Sequence, residues 1–330
     1  MTTVLDRLNY ALLHAMETDE RVYLLGEDIL DPYGGAFKVT RGLSTKFPER
    51  VLTTPISEAA IVGVANGMAL RGLHPVAEIM FGDFTTLIAD QLVNHASKFR
   101  WMYNDQVRVP MVVRVPMGGR RGYGPTHSQS LEKMFLGVPG LKVVAANALG
   151  DPAELLTAAI ADDDPVLFIE HKLLYARSLL ELGKGDLIDF KVDNTGGISP
   201  AFTLRPMDSA RLTLACYGYN FELARAAALD LLMEHEVFVE IVLFSQLSPF
   251  DLEPLFLSLA RTRKLLTVEE GTLSLGWGAE VVARAVERMG GLQVRRVAAL
   301  DLPIAAAKSL EDAILPLVQD IVRSALSLVN

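Results

Sequence analysis

The sequence Val51-Leu52-Thr53-Thr54-Pro55-Ile56-Ser57-Glu58-Ala59-Ala60-Ile61-Val62-Gly63-Val64-Ala65-Asn66-Gly67 changes its period partway along. Val51-Leu52-Thr53 is a brief apolar strand. Pro55 blocks a helix upstream, Ser57 is suited to an N-cap, and small apolar residues at helical spacing follow Glu58. Gly63 and Gly67 stand four apart, so one helix face is nearly bare and can approach another backbone closely. His74-Pro75-Val76-Ala77-Glu78-Ile79 then returns to a strand, and strand, helix, strand is the unit of an α/β protein. Glu58 is the charged side chain at the head of this helix. With Ile56, Ile61 and Val62 around it, the carboxylate is expected to be poorly hydrated and its pKa to rise, which suits a group that shares a proton with a bound ligand. The helix dipole also favours an acid in a first turn without any function, and the residues alone leave both readings open.

Outward from this stretch the alternation continues. Thr3 is expected to cap a helix through about Glu17, and Val22-Tyr23-Leu24-Leu25 reads as a strand ending in Gly26-Glu27-Asp28, where open parallel sheets bind ligands. A long helix is expected from Phe84 to Tyr103, then strands at Pro110–Val115, Leu141–Ala145 and Val166–Glu170, with a helix over Pro152–Ala161 between the last two. Between 181 and 207 the periodicity fails, with Gly183, Gly185, Gly196, Gly197, Pro200 and Pro206 among polar residues, which reads as a linker. A second unit begins with the strand Arg211–Gly218, continues in strand and helix, and closes on a helix expected over Ser309–Leu328. The reading is therefore of an α/β protein with domains at 1–180 and 208–330 joined by the linker 181–207.

The 330 residues suffice for two cores, and with half of them hydrophobic and 22% charged the chain is a folded protein. A net charge of −9 argues against a general nucleic-acid partner. No apolar run is long enough for a membrane span and the N-terminus lacks a signal peptide's apolar core, so a cytoplasmic location is expected. The one cysteine, Cys216, lies in Leu214-Ala215-Cys216-Tyr217 and reads as strand packing. There is no G-x-G-x-x-G after a strand, no phosphate-binding P-loop, no G-x-S-x-G and no H-E-x-x-H, which sets aside several enzyme classes.

Pro116-Met117-Gly118-Gly119-Arg120-Arg121-Gly122-Tyr123-Gly124-Pro125-Thr126-His127-Ser128-Gln129-Ser130 is a long shaped loop, and loops of this kind carry function. It singles out His127. His14, His74, His95, His171 and His235 are scattered without metal-ligand spacing. Glu58, His127 and the aromatic residues Phe81 and Phe84 are a set able to hold a flat, protonatable heterocycle and move protons beside it.

With these residues in view the chain resembles the beta subunits of thiamine-diphosphate-dependent 2-oxoacid dehydrogenases, the family of the pyruvate, branched-chain 2-oxoacid and acetoin enzymes. The resemblance rests on Gly26-Glu27-Asp28, Gly34-Gly35-Ala36-Phe37, the Glu58 stretch, Glu78-Ile79-Met80-Phe81-Gly82-Asp83-Phe84 and Asp90-Gln91. It continues through His127-Ser128-Gln129-Ser130, Pro139-Gly140-Leu141-Lys142-Val143-Val144, Leu247-Ser248-Pro249 and Val268-Glu269-Glu270, over nearly the whole chain.

The resemblance implies an N-terminal parallel-sheet domain that binds the pyrimidine of thiamine diphosphate and a C-terminal transketolase-like α/β domain. It implies that Glu58 hydrogen-bonds the pyrimidine and promotes the tautomer that takes the thiazolium proton, that Ile56, Met80 and Phe84 line the pocket, and that His127 faces the substrate and the incoming lipoyl group. A potassium ion would sit on Met111, Ala159, Ile160, Asp162 and Asp164, largely through backbone carbonyls. The diphosphate and Mg²⁺ are held in this family by a Gly-Asp-Gly stretch on another polypeptide, and no Gly-Asp-Gly occurs here. The implied assembly is thus an α2β2 heterotetramer with an alpha subunit, which a lipoyl acyltransferase core can join through the C-terminal domain.

The implied reaction is decarboxylation of pyruvate or a branched-chain 2-oxoacid with reductive acylation of a lipoyl group. Acetoin cleavage, another carbon–carbon lyase or ligase uncoupled from lipoamide, and a non-catalytic assembly subunit are the alternatives. Glu269 and Glu270 read as strand-end charges facing solvent or a subunit seam. Departures from the family pattern are Met80, where many relatives have glutamine, Thr126, Gly137, Leu243-Phe244-Ser245-Gln246, and Ala305 in place of a second proline.

Overall fold

The computed structural model describes residues 2–181, 183–184, 190–196 and 199–330. By its contacts the chain divides into two compact units: Met1–Gly118 with Met134–Leu179, and Gly119–Lys133 with Leu180–Asn330. The segment that carries His127 therefore goes with the second unit, although it is flanked in sequence by strands of the first.

The first unit is built on strands β1 (Val22–Gly26), β2 (Val51–Thr53), β3 (His74–Glu78), β4 (Val112–Met117), β5 (Lys142–Ala145) and β6 (Val166–His171). They pair in parallel in the order β5-β6-β4-β3-β1-β2. Every residue of β4 and β6 is buried, as expected of a parallel sheet covered on both faces. The covering helices include α1 (Val4–Thr18), α2 (Leu43–Lys46), α3 (Glu58–Leu70), α4 (Ser97–Met102) and α5 (Pro152–Ile160). Thr3 caps α1 through a reciprocal capping box: Asp6 N–H donates to its Oγ1 at 3.2 Å, and Thr3 N–H donates to Asp6 Oδ2 at 2.9 Å. The long helix expected over Phe84–Tyr103 is broken. A 3₁₀ stretch covers Gly82–Ile88 and a π-helical turn Gln91–Ala96 before α4. The break lets Asn66 Nδ2 of α3 donate to the Gln91 carbonyl at 3.0 Å.

The second unit holds β7 (Phe190–Asn194), β8 (Ala201–Pro206), β9 (Leu212–Tyr217), β10 (Val239–Phe244), the short β11 (Gln246–Ser248), β12 (Lys264–Thr272) and β13 (Gln293–Ala299). Six of them form a sheet in the order β13-β12-β9-β10-β8-β7, parallel except for β8 and β7. The linker expected over 181–207 is corrected here, because β7 and β8 are an antiparallel pair of that sheet. Its glycines and prolines punctuate a hairpin, and the alternation is short: Phe202 and Leu204 are buried while Thr203 and Arg205 are not. Gly185 and Gly197 of that reading lie outside the described residues.

Helices α6 (Asn220–His235), α7 (Glu253–Thr262), α8 (Trp277–Met289), α9 (Lys308–Ile314) and α10 (Val318–Val329) complete the unit. The single closing helix expected over Ser309–Leu328 is two helices. Pro316 has no N–H to continue the first and forces Leu315 to an extended φ −84°, ψ 146°. Cys216 is fully buried in β9, and burial pushes its thiol pKa up, so it packs as a small apolar group. No helix among the described residues is long and apolar enough to cross a membrane.

Candidate functional site

Three parallel strands end side by side in the first unit. Gly26 of β1 is in register with Thr53 of β2 and Glu78 of β3, and Thr54 N–H donates to the Gly26 carbonyl at 3.0 Å. Residues just past these ends therefore share one edge of the sheet, where open α/β sheets place ligands. Glu27, Glu58, Met80 and Phe84 follow them there. Ser57 occupies the position before α3, but its hydroxyl makes no capping bond; its backbone N–H goes to the Glu27 carboxylate.

Glu58 is 6% exposed and its carboxylate makes no hydrogen bond among the described residues. Glu27 is equally buried, and its Oε1 is without a partner among those residues. Burial first, then the negative charges of Glu58 and Asp28, raise the pKa of Glu27. The arrangement is thus a pair of neighbouring buried acids. Sequence reasoning placed Glu27 at a strand end without a role; the signal was an acid directly after an apolar strand. Ile56, 82% exposed, presents bare apolar surface beside them. A side chain at Gly67 would meet nothing within 4 Å, and one at Gly63 only Gln91 Cγ at 4.0 Å, so the glycine face of α3 is uncovered within its unit.

Behind the acids the site is stiffened by a buried ion cluster. Arg114, 2% exposed, donates through Nε and Nη2 to the two oxygens of Glu170 and through Nη1 to Glu78 Oε2, all at 2.7 Å. Tyr175 donates its hydroxyl to Glu170 at 2.6 Å. Two carboxylates face one guanidinium, and burial raises the pKa of Glu78. The Gly34-Gly35 loop presses on this cluster: at φ +78°, a Cβ on Gly35 would lie 2.5 Å from Glu78 Oε1, so only glycine fits. The loop brings Phe37 against Tyr175 with ring centroids 5.2 Å apart and against Phe81 at 5.7 Å. Phe81 in turn meets Phe84 edge-on at 6.1 Å. Arg114, one cation in an otherwise apolar strand, was the sequence signal for this cluster.

The residues expected to hold potassium all belong to the first unit. Their carboxylates are engaged: Lys142 Nζ donates to both oxygens of Asp162 at 2.7 and 2.5 Å, and Arg100 Nη1 donates to Asp164 at 2.8 Å. Met111 O accepts Val166 N–H at 2.9 Å and Ala159 O accepts Ala161 N–H. The carboxylate charge is neutralised by protein cations, and what Met111, Ala159, Ile160, Asp162 and Asp164 offer a cation is backbone carbonyl oxygen.

His127 belongs to the second unit. Its N–H donates to the Gly124 carbonyl at 3.4 Å, and its Nδ1 is 3.0 Å from the Thr126 hydroxyl. Glu269 and Glu270, expected to face solvent or a seam, are 0% and 3% exposed. β12 runs to Thr272, so both acids lie within a strand; Glu270 accepts from the segment Gly119–Lys133 and Glu269 from Gly278 N–H at the start of α8.

Residues 2–177 match the family described as "Transketolase, pyrimidine binding domain" and residues 203–321 the one described as "Transketolase, C-terminal domain". Pyruvate dehydrogenase E1 component subunit beta-2, mitochondrial, of Oryza sativa subsp. japonica is 36% identical over 327 residues, covering 98% of this chain and 85% of the relative. The subunit beta-1 of Arabidopsis thaliana is 36% identical over 326 residues, covering 98% and 88%. The subunit beta of Saccharomyces cerevisiae is 34% identical over 332 residues, covering 98% and 87%. Among solved structures, a split gene transketolase described as an inactive beta4 tetramer superposes with a TM-score of 0.77 at 18% identity, covering 100% of this chain and 99% of that one. The transketolase from Leishmania mexicana gives 0.70 at 16%, covering 98% and 45%. These two likenesses concern the fold.

Proposed function

The chain belongs to the family of pyruvate dehydrogenase E1 component beta subunits, built from transketolase pyrimidine-binding and C-terminal domains, and from that premise we propose that it is the beta subunit of a thiamine-diphosphate enzyme that decarboxylates a 2-oxoacid and passes the acyl group to a lipoyl group. Pyruvate or a branched-chain 2-oxoacid is the proposed substrate, and an alpha subunit the proposed partner, in an α2β2 assembly. The observation that carries the reading is the buried acid pair, Glu58 at the head of α3 and Glu27 after β1, on the sheet edge that binds ligands.

The first unit's residues fit the pyrimidine half of the cofactor. Glu58 has a carboxylate with no hydrogen-bond partner among the described residues, Ile56 offers apolar surface, Met80 follows the end of β3, and Phe84 lies in the 3₁₀ stretch after it. When bound, the cofactor would supply a nucleophilic carbon and an electron sink for the decarboxylation of a 2-oxoacid. Glu58 would hold and orient the pyrimidine through a hydrogen bond. Glu27 is the neighbouring buried acid, its pKa raised by burial first and then by the charge of Glu58. His127, whose Nδ1 lies 3.0 Å from the Thr126 hydroxyl, is the proposed proton donor to substrate. The diphosphate and Mg²⁺ are assigned to the alpha subunit, which also is proposed to cover the glycine face of α3 at Gly63 and Gly67.

The test is to co-purify the chain with its alpha subunit, supply thiamine diphosphate, Mg²⁺, a 2-oxoacid and a lipoyl domain, and read acyl transfer by mass spectrometry. An acylated lipoyl domain is expected. Decarboxylation with no acylation of any lipoyl domain points instead to a lyase or ligase, and absence of both refutes the reading. The chain alone is expected to show no thiamine diphosphate binding by calorimetry; tight binding without the partner removes the split site.

A further inference from the structure

The segment Gly119–Lys133 is fastened to the rest of the second unit at both ends by buried carboxylates. At its start, Gly119 N–H donates to Glu270 Oε1 at 2.7 Å, Arg120 N–H to Glu311 Oε1 at 2.7 Å, and Gly122 N–H to Glu311 Oε2 at 3.3 Å. Three backbone donors within four residues thus converge on two acids that are 3% and 1% exposed. Arg120 and Gly122 both have φ +69°, which turns their N–H groups inward as in an anion-binding nest; here the anion is a protein side chain. The Arg120 guanidinium neutralises part of this charge, donating through Nε to Glu270 Oε2 at 2.9 Å and through Nη2 to the Pro316 carbonyl at 2.6 Å. A Cβ at Gly119 would lie 2.7 Å from Leu315 Cδ1, so the segment is seated in contact with the end of α9. At its far end Tyr217 donates its hydroxyl to the buried Glu132 at 2.5 Å, and Lys133 Nζ donates to the Ser274 carbonyl at 2.7 Å. His127 lies between these anchors.

We propose that Glu311 and Glu270 are positioning residues for His127: they do no chemistry, and they fix the backbone from which its imidazole projects. The inference rests on the reading of His127 as a proton donor. A carboxylate accepting two backbone N–H groups is a directional restraint that water cannot replace at a buried position, because hydrogen bonds to a charged acceptor are the strong ones and leaving the donors unmade is costly. An acid on α9 is a strange choice for packing alone, since an apolar residue there would bury more cheaply. Its geometry makes sense if the segment must stop in one conformation.

The experiment uses the assembled complex with wild-type chain, Glu311→Gln, Glu311→Asp and Glu270→Gln. Glutamine keeps the size but sets an NH₂ group against a backbone N–H, so amide hydrogen exchange over residues 119–126 should rise about tenfold in Glu311→Gln while β9 and β10 exchange as in wild type. Turnover of the 2-oxoacid should fall about tenfold in kcat. The apparent KM for thiamine diphosphate should stay within about twofold, and Glu311→Asp should recover part of the loss. Unchanged exchange over 119–126 overturns the clamp. Faster exchange with unchanged kcat overturns the link to His127, and equal loss of cofactor affinity and turnover reduces the role to folding. If Glu311→Gln does not assemble, Glu270→Gln carries the same readings. A wild-type complex with no turnover sinks the functional reading, and the exchange measurement then decides the clamp by itself.

Discussion

Replacing Glu269 by glutamine should stabilise the second unit at neutral and higher pH, and the structure sets the size of the effect. Glu269 is fully buried; its Oε1 accepts the Gly278 N–H at the start of α8 at 2.9 Å, and its Oε2 has no partner among the described residues. Burial first, with the nearby Glu132 adding to it, raises the carboxyl from 4.5 to about 7, against the opposing pull of the α8 backbone donors. A raised acid keeps its proton in the folded protein at pH values where the unfolded chain has lost it. Its contribution is therefore fully present below pH 4.5 and is lost as pH rises through about 7. At roughly 1.4 kcal/mol per unit, the loss is on the order of 3 kcal/mol by pH 8.

Glutamine keeps the acceptor for Gly278 and carries no charge to desolvate, so the Glu269→Gln variant should match wild type near pH 4.5 and exceed it by about 3 kcal/mol at pH 8. Urea titrations followed by tryptophan fluorescence suit the measurement. Trp277 is 1% exposed with its ring against Tyr217 and Phe244, whereas Trp101 is 87% exposed already and changes little. Stability curves for variant and wild type that run parallel between pH 5 and 8, or a variant weaker at pH 8, would refute the reasoning.

The other expected outcomes concern the first unit. Glu58→Gln in the complex with an alpha subunit should slow exchange of the cofactor's thiazolium proton by about 100-fold or more, read by NMR; an unchanged rate contradicts the assigned role. Gly35→Ala should cost about 1–3 kcal/mol, because its Cβ would collide with Glu78 Oε1 in a left-handed backbone. A thermal melt within a degree of wild type would reject that. Arg114→Met should cost about 3–5 kcal/mol by leaving Glu78 and Glu170 buried without a cation. The penalty should be smaller at pH 5 than at pH 8, since Glu78, whose pKa burial raises, then takes up a proton more readily, and a pH-independent penalty in chemical denaturation would show that the charges are not its source.

How much of this was legible beforehand depends on the range of the interaction. The strands β1, β3, β4 and β6 are short apolar runs and declare themselves, as does the break before α3 at Pro55. Glu58 and His127 could be singled out because each interrupts a local pattern. The hairpin of β7 and β8 was missed because its glycines and prolines are turn signals at close spacing, and only the partner strand β10 supplies the reason for order. The clamp on the His127 segment was invisible for a simpler reason: Gly119 and Glu270 are 151 residues apart. Nothing local marks an acid inside a strand as a ligand for distant backbone.

The buried ion cluster shows where that barrier lies. Arg114 stands out in sequence as a charge within β4, which says that partners must exist and not which ones. Register supplies them. Arg114 is paired directly with Glu78 on β3, and on the other side with Phe168 on β6. Side chains two apart on a strand point to the same face, so Glu170, two beyond Phe168, comes to the same side of the sheet as the guanidinium. Once the order β6-β4-β3 is known, two acids can be assigned to one arginine by counting. The same count explains why two acids meet one cation toward the sheet edge, where Glu78 closes β3 and the Gly34-Gly35 loop rests on it. The chemistry was readable residue by residue; strand order was the missing quantity that turned single anomalies into a site.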